Sequence, residues 1–285
     1  MKKINIILFV FLCMLFVSCE ITQEIDYKSY YKGDKLIVQG FISVEEGLEL
    51  TIRKTVEPNR IDNSDVVEDV VAELYENGIK IDELIRIDDY HFSTSNNIKF
   101  DMNNVYHITA ISPQMPKVVS SSIKLLDQFE IKSSKFVENE NYTNIVITLQ
   151  NISSESSFIV KMCRYKNGVP ENNYETILFN PLHLIYDLPE GEASVDFPVG
   201  YSSDFDSLKI DIYSFSADYT KFGKSYDAYD RTRGDMFYEQ PYPVYSSIEG
   251  GYGFFASYNK ISFIKIPHPS PPVGAELYSV HYSSE

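Results

Sequence analysis

From Lys35 onward the apolar residues come in short segments with strand-like spacing. Only one stretch keeps the 3.6-residue period of a helix. Such a chain must bury one face of each strand against a second layer, which restricts it to stacked sheets or barrels. Lys35–Val44 is β-branched and apolar, and Glu49–Thr55 alternates with Leu50 and Ile52 on one face. Pro58, Asn59, Asp62 and Asn63 mark a loop. Val66–Tyr75 then leads into Asn77-Gly78, a dipeptide suited to the positive-φ positions of a tight hairpin turn, with Ile79–Leu84 as the return strand. Tyr90–Phe92, Val105–Ala110 and Val118–Ile123 complete about seven short strands. These predict a β-sandwich domain over residues 35–125.

The second half repeats the pattern over residues 126–266. Phe129–Val137, Thr143–Gln150, Phe158–Tyr165, Tyr174–Phe179, Ala193–Phe197, Ser207–Ser214 and Ile261–Ile266 read as strands. One amphipathic helix is expected at about 216–231, because Tyr219, Phe222, Tyr226 and Tyr229 fall on one stripe. Asp218, Lys221, Lys224 and Asp227 face the other way. Ser216 is placed to cap the helix start and Gly234 to follow its end. The expected fold is all-β, with two β-sandwich-like (Ig-like or transthyretin-like) domains, the second carrying the helix. Pro267, Pro269, Pro271 and Pro272 end regular structure, so 267–285 reads as a flexible tail.

The N-terminus has a different character. Lys2 and Lys3 precede an almost wholly apolar run, Ile4–Val17, which closes on Ser18-Cys19. The run is short for a membrane span and sits where a secretory signal sits. A small residue directly before cysteine resembles a bacterial lipobox. The expectation is a signal peptide at 1–18, acylation of Cys19 and a polar tether at 19–34. The chain has 25 basic and 41 acidic residues, and losing Lys2 and Lys3 takes the formal charge from −16 to −18. That charge argues against nucleic acid as a partner and against electrostatic docking on anionic lipid. Cys13 leaves with the signal. Only Cys163 then remains beside Cys19, so no intramolecular disulfide is expected. In its strand-like setting Cys163 reads as a buried structural thiol rather than a nucleophile.

Motifs for catalysis are missing: no His-Glu-x-x-His, no Gly-x-Ser-x-Gly and no phosphate-binding loop. Ser-x-x-Lys occurs as Ser29–Lys32, Ser121–Lys124 and Ser257–Lys260, none at the start of a buried helix. His91 and His107 sit in consecutive expected strands, which suggests cross-strand packing rather than a metal site. Acidic pairs are many (Asp88-Asp89, Glu68-Asp69, Asp204 with Asp206), and none carries a flanking motif. No cofactor or metal is expected, a diffuse calcium site at Asp62/Asp65 or Asp204/Asp206 being the one exception considered. The most unusual segment is 213–258, where 14 of 46 residues are Tyr or Phe. It offers Tyr242, Tyr245, Tyr252, Phe254 and Phe255 as a candidate ligand- or partner-binding surface. The competing reading is plain packing, with Gly250, Gly251 and Gly253 allowing close backbone approach.

Pro241–Tyr258, with its Glu249-Gly-Gly-Tyr-Gly-Phe-Phe-Ala256 core, resembles the C-terminal signature of the DUF4249 family, predicted lipoproteins of Bacteroidetes. Lys35–Phe41 resembles that family's first strand, Val70–Gly78 its hairpin and Asn103–Thr109 a later strand, although Asn103-Asn104 stands where a glycine is usual. The resemblance implies a lipid-anchored outer-membrane protein, facing the periplasm or the cell surface, that accompanies a TonB-dependent receptor. It transfers no active-site residues. The expected function is therefore non-enzymatic: an accessory or binding protein of the cell envelope. Two other readings compete. A fimbrial or adhesin subunit would present a processing arginine after its first strand, where only Arg53 and Arg60 stand. An enzyme of unrecognised type would show a cleft with perturbed carboxylates.

Overall fold

The computed structural model describes residues 33–57, 64–95, 98–138, 143–154, 156–171, 186–200, 205–232 and 243–267. Alternating apolar segments form the strands. In the first half these are β1 (Leu36–Ser43), β2 (Gly47–Lys54), β3 (Val71–Glu76), β4 (Ile79–Glu83), β5 (Ile85–Arg86), β6 (His91–Ser93), β7 (Val105–Ile111), β8 (Val118–Ser120) and β9 (Ile123–Lys124). The second half contributes β10 (Glu130–Glu138), β11 (Thr143–Ile152), β12 (Ser157–Lys166), β13 (Val169–Pro170), β14 (Tyr186–Asp187), β15 (Gly191–Gly200) and β16 (Ser207–Phe215). The helix α1 (Ala217–Thr232) follows, then β17 (Ile248–Glu249) and β18 (Tyr252–Lys265). Among the described residues the fold is all-β and sandwich-like with one helix, as the sequence predicts. The expected strand at 174–179, the turn residues Asp62 and Asn63, Gly234 and the tail beyond residue 267 lie outside the described residues.

The largest sheet has nine strands in the order β13-β12-β16-β18-β1-β2-β6-β5, with β14 beside β12. A second sheet, β17-β8-β7-β3-β4 with β9 beside β7, belongs mainly to the first half, and a third is β10-β11-β15. The nine-stranded sheet contains strands from both halves, and β18 joins them. Tyr252–Ser257 runs parallel to Ile37–Ile42 of β1. The same strand continues as Tyr258–Lys265, antiparallel to Leu208–Phe215 of β16 on its other edge. The sequence places all of 126–266 in the second domain. In the structure β17 pairs with β8, and the first part of β18 pairs with β1, both in the first half.

Side chains alternate across a strand, so β18 serves three cores. Phe255 enters a cluster with Val38, Leu50, Leu74, Tyr106 and Ile108, between the large sheet and the second one. Ile261 and Phe263 border a separate cluster built from Ile145, Ile147, Leu149, Phe158 and Ile210, under the three-stranded sheet. Phe254, Ala256 and Tyr258 point to the opposite face. There they meet Phe41, Phe215, Tyr219 and Phe222 beneath α1. The two smaller sheets thus cover one face of the large sheet, and the helix covers the centre of the other.

The helix lies within a residue or two of its expected span. Tyr219 and Phe222 are buried as the stripe requires, with Tyr226 partly buried beside them. Ser216 stands at the helix start as expected, its carbonyl accepting the Thr220 N–H (3.3 Å), while its side chain is turned to β18. Its hydroxyl oxygen accepts the N–H of Ser257 (3.1 Å), and its own N–H donates to the Ser257 carbonyl (3.0 Å). Ser216 therefore ties the helix start to β18. Asp218 also departs from its expected solvent-facing role, accepting the hydroxyls of Tyr245 and Ser121 in the first helical turn.

Gly253 is what permits β18 to lie against β1. Its φ is +116°, and a Cβ there would sit 1.8 Å from the Val38 carbonyl oxygen. Gly47 also has positive φ (+83°), but nothing lies within 4 Å of its Cβ position. Gly253→Ala should therefore cost at least about 3 kcal/mol, from clash added to strain, whereas Gly47→Ala should cost about 1–2 kcal/mol from strain alone. Urea unfolding of the two variants checks this ordering.

Candidate functional site

The aromatic segment resolves into individual placements. Phe254 and Phe255 are neighbours on β18 that point into different cores, and both are buried. Tyr245 is part-buried. Its ring packs against the cluster under α1 and its hydroxyl donates to Asp218 Oδ1; burial, followed by that hydrogen bond, pushes its pKa up to about 12. Tyr252 is 47% exposed, with Lys35 Nζ 5.2 Å from its ring centroid. Tyr242 lies outside the described residues, as do Cys19 and its neighbours. The five candidates do not converge on one surface: of the four described, Tyr252 alone is largely open to solvent.

Polar groups do converge where β18 passes from β1 to β16. In the β1–β2 turn, Ser43 Oγ accepts the Glu46 N–H (2.9 Å), which holds Glu46 over the strand. Glu46 then accepts the Tyr258 hydroxyl at 2.6 Å and Lys260 Nζ at 2.9 Å. Partial burial alone would raise the Glu46 carboxyl, but these two donors outweigh it and hold it below its ordinary 4.5. Burial and the Glu46 hydrogen bond raise Tyr258 well above the usual phenol range. On the same face Lys161 and Lys260 both approach the Tyr213 ring, at 4.6 and 5.5 Å, and burial lowers the Lys161 ammonium. On the opposite face, Asn259 donates to the carbonyls of Leu126 and Asp127, both at 2.9 Å, and Ser257 Oγ donates to the Lys124 carbonyl at 2.8 Å. These bonds pin the connection between the two halves onto β18.

A cleft of about 60 Å³ opens at this seam, lined by Ser43, Glu45, Glu46, Gln128, Asn259 and Lys260 among others. It has room for a few waters. Pockets that enclose small-molecule ligands run to roughly 300–1,000 Å³. The arrangement suits joining the halves more than enclosing a substrate. Sequence reading passed over Glu46, Tyr213 and Tyr258, because the strand pairings that gather them are non-local.

The remaining candidates are placed apart. His91 Nδ1 meets the Asp88 carboxylate at 2.8 Å, whereas His107 stacks on Tyr75 (4.6 Å, 13°) in another sheet, so the two histidines do not pair. Asp88 accepts the N–H groups of Tyr90 and His91 as well as the His91 ring, and together these hold its carboxyl down at about 2. Ser257 and Ser121 spend their hydroxyls on Lys124 and Asp218, not on the lysine three residues ahead; Ser29 and Lys32 lie outside the described residues. Asp65 is held by Arg53 (3.3 Å) and Tyr90 (2.9 Å), and Asp206 accepts the Asn167 N–H. Their proposed calcium partners Asp62 and Asp204 lie outside the described residues, as does Arg60. Among the described residues no group of three or more His, Cys, Asp or Glu could hold a metal ion. Cys163, expected to be buried, is half-buried, in a stretch of β12 (Val160–Tyr165) whose residues are all only partly covered.

Residues 20–263 match the model of a domain of unknown function, DUF4249. The chain belongs to the DUF4249 family. No curated protein matches it. The match takes in every described strand but the last two residues of β18, including the β1, β17 and β18 segments that meet around Gly250–Gly253.

The seam makes a prediction for this DUF4249 protein. Tyr258→Phe removes the buried donor to Glu46 and should lower stability by about 1–3 kcal/mol. Because the folded Glu46 carboxyl is depressed, its contribution is present above the ordinary carboxyl pKa and is lost as pH falls through the folded value. Denaturant unfolding of wild type and Glu46→Gln should therefore differ most near neutrality, with the gap closing as the pH is taken below about 4.5.

Proposed function

We propose that this protein is a cell-envelope lipoprotein, anchored in the outer membrane through an acylated Cys19, that works by binding rather than by catalysis. Its partner in this reading is a TonB-dependent receptor, which it serves as an accessory. The observation that carries the reading is the Lys2-Lys3, Ile4–Val17, Ser18-Cys19 sequence, which has the order and lengths of a lipoprotein signal. The family match begins at residue 20, directly after that cysteine. The DUF4249 resemblance supplies the link to TonB-dependent transport. Polar groups at the seam that bond to one another around a cleft of about 60 Å³ support a protein that offers surface more than chemistry.

Two experiments test this. Cys19→Ser should move the protein from the membrane fraction to the soluble or secreted fraction, and the N-terminal peptide of the wild type should carry acyl mass. A wild-type N-terminus without acyl chains would rule out the anchor. Affinity purification from detergent-solubilised membranes should then recover a TonB-dependent receptor. Repeated recovery without one, across several growth substrates, would remove the accessory role and leave the anchor standing.

A further inference from the structure

One end of the first sandwich brings exposed apolar side chains together with the point where the chain enters the fold. The chain enters the fold there, at Gly33–Leu36. Register fixes its other members. Ile37 of β1 is level with Tyr252 of β18. The Leu36 carbonyl and the Val118 side chain both abut Gly251, and the Lys117 carbonyl abuts Gly250. Ala110 pairs with Val118, and Val71 with Ile111. The β7–β8 hairpin tip, Ile111–Lys117, therefore stands beside Tyr252 and the point of chain entry.

This rim is apolar and open. Tyr252 is 47% exposed, Val71 48% and Ile111 42%. Pro113 and Pro116 are exposed and Met115 half-buried. In a chain of 41 acidic residues, 102–126 contains no Asp or Glu, and neither does 250–267. The two acid-free stretches come together at this end, with Asp34, Glu249 and the exposed Glu68-Asp69 pair ahead of Val71 at its margins. Lys35 lies against the Tyr252 ring, and Lys117 is exposed at the hairpin tip. An aromatic flanked by lysines whose stems can lie along apolar surface is suited to the headgroup level of a bilayer.

We infer that this rim, Tyr252 with the Ile111–Lys117 hairpin tip and Val71, rests on the lipid surface to which Cys19 is anchored. The inference depends on the anchor proposed above. Thirteen residues separate Cys19 from Gly33, a length whose fully extended reach is about 45 Å, so length alone sets no orientation. Seating apolar side chains at about 25 cal/mol per Å² supplies the preference. The rim would then hold the far end of β18, thirteen residues beyond Tyr252, roughly 40 Å along the strand from the membrane.

The test uses full-length lipidated protein, purified from membranes and reconstituted into phosphatidylethanolamine–phosphatidylglycerol vesicles. In a Cys163→Ser background an environment-sensitive fluorophore is placed at Met115→Cys or, at the far end of β18, at Ile264→Cys. Emission at 115 should shift to the blue and be quenched by lipids carrying a quencher in the upper acyl chain, while emission at 264 should stay that of water. Raising the salt concentration should leave the 115 signal in place, since apolar contact holds the rim. Mass spectrometry of the N-terminal peptide on the same sample separates the two ideas. An unacylated Cys19 sinks the anchor. An acylated Cys19 with water-like emission at 115 sinks the rim, and so does a blue shift seen only in native membranes, which would put a protein on that surface. Should Met115→Cys fold poorly, hydrogen exchange of unlabelled protein reads the same surface: the 111–117 amides should gain protection on vesicles.

Discussion

The structure depends on one strand pairing two ways. β18 is parallel to β1 along its first part and antiparallel to β16 along the rest, on opposite edges. Until β18 is in place, the nine-stranded sheet is two separate pieces. Ile37 and Tyr252 are then joined across most of the chain, and a contact so distant in sequence is costly in loop entropy until the cores reward it. The reward is spread over three clusters, because alternation sends Phe255 to one, Ile261 and Phe263 to another, and Phe254 and Tyr258 to a third. Removing or displacing this strand would open all three at once.

The third cluster explains the aromatic density that dominates the sequence from residue 213. Phe41 makes edge contacts with Tyr219 and Phe254, each at 5.1 Å, and with Tyr258 at 5.7 Å. Phe215 lies 4.4 Å from Tyr219, and Phe222 lies 4.6 Å from Phe254. Tilted and edge-on pairs of this kind add to simple burial. A single helix lying on a sheet has a narrow contact face, and large flat side chains fill it with few residues. The polar ends are also used: Tyr258 reaches Glu46, and Tyr245 reaches Asp218. Among the described residues, the Tyr and Phe side chains here fasten the helix to the strands, and Tyr252 is the one left facing water.

Much of this was legible in the sequence. Asn77-Gly78 takes the positive-φ turn that its chemistry requires, at +50° and +81°. The helix shows in its four-aromatic stripe, and the strands in their alternation. Gly250–Tyr258 was harder. Three glycines among aromatics point to close backbone approach, but not to what is approached: Gly253 lies in the longest strand and lets the β18 backbone approach Val38. That reason lies on β1, more than two hundred residues away, where local pattern cannot reach. The same non-locality hid the Glu46–Tyr258–Lys260 seam and placed His91 and His107 in different sheets.

The charge of the chain bears on its proposed setting in a way that net charge alone misses. A formal charge of −16 suggests repulsion from an anionic surface. Exposed charges more than about 8–10 Å from that surface are largely screened at physiological salt, so only the end that touches it counts. That end has Lys35, Lys117 and Tyr252, and the two acid-free stretches meet there. Asp34, Glu68, Asp69 and Glu249 border the same end, so apolar contact rather than charge must hold it to the surface, while the other acidic residues of the chain favour solubility. An anchored molecule would meet the membrane by the end at which the tether enters the fold, leaving the seam and the second half facing outward to whatever partner they serve.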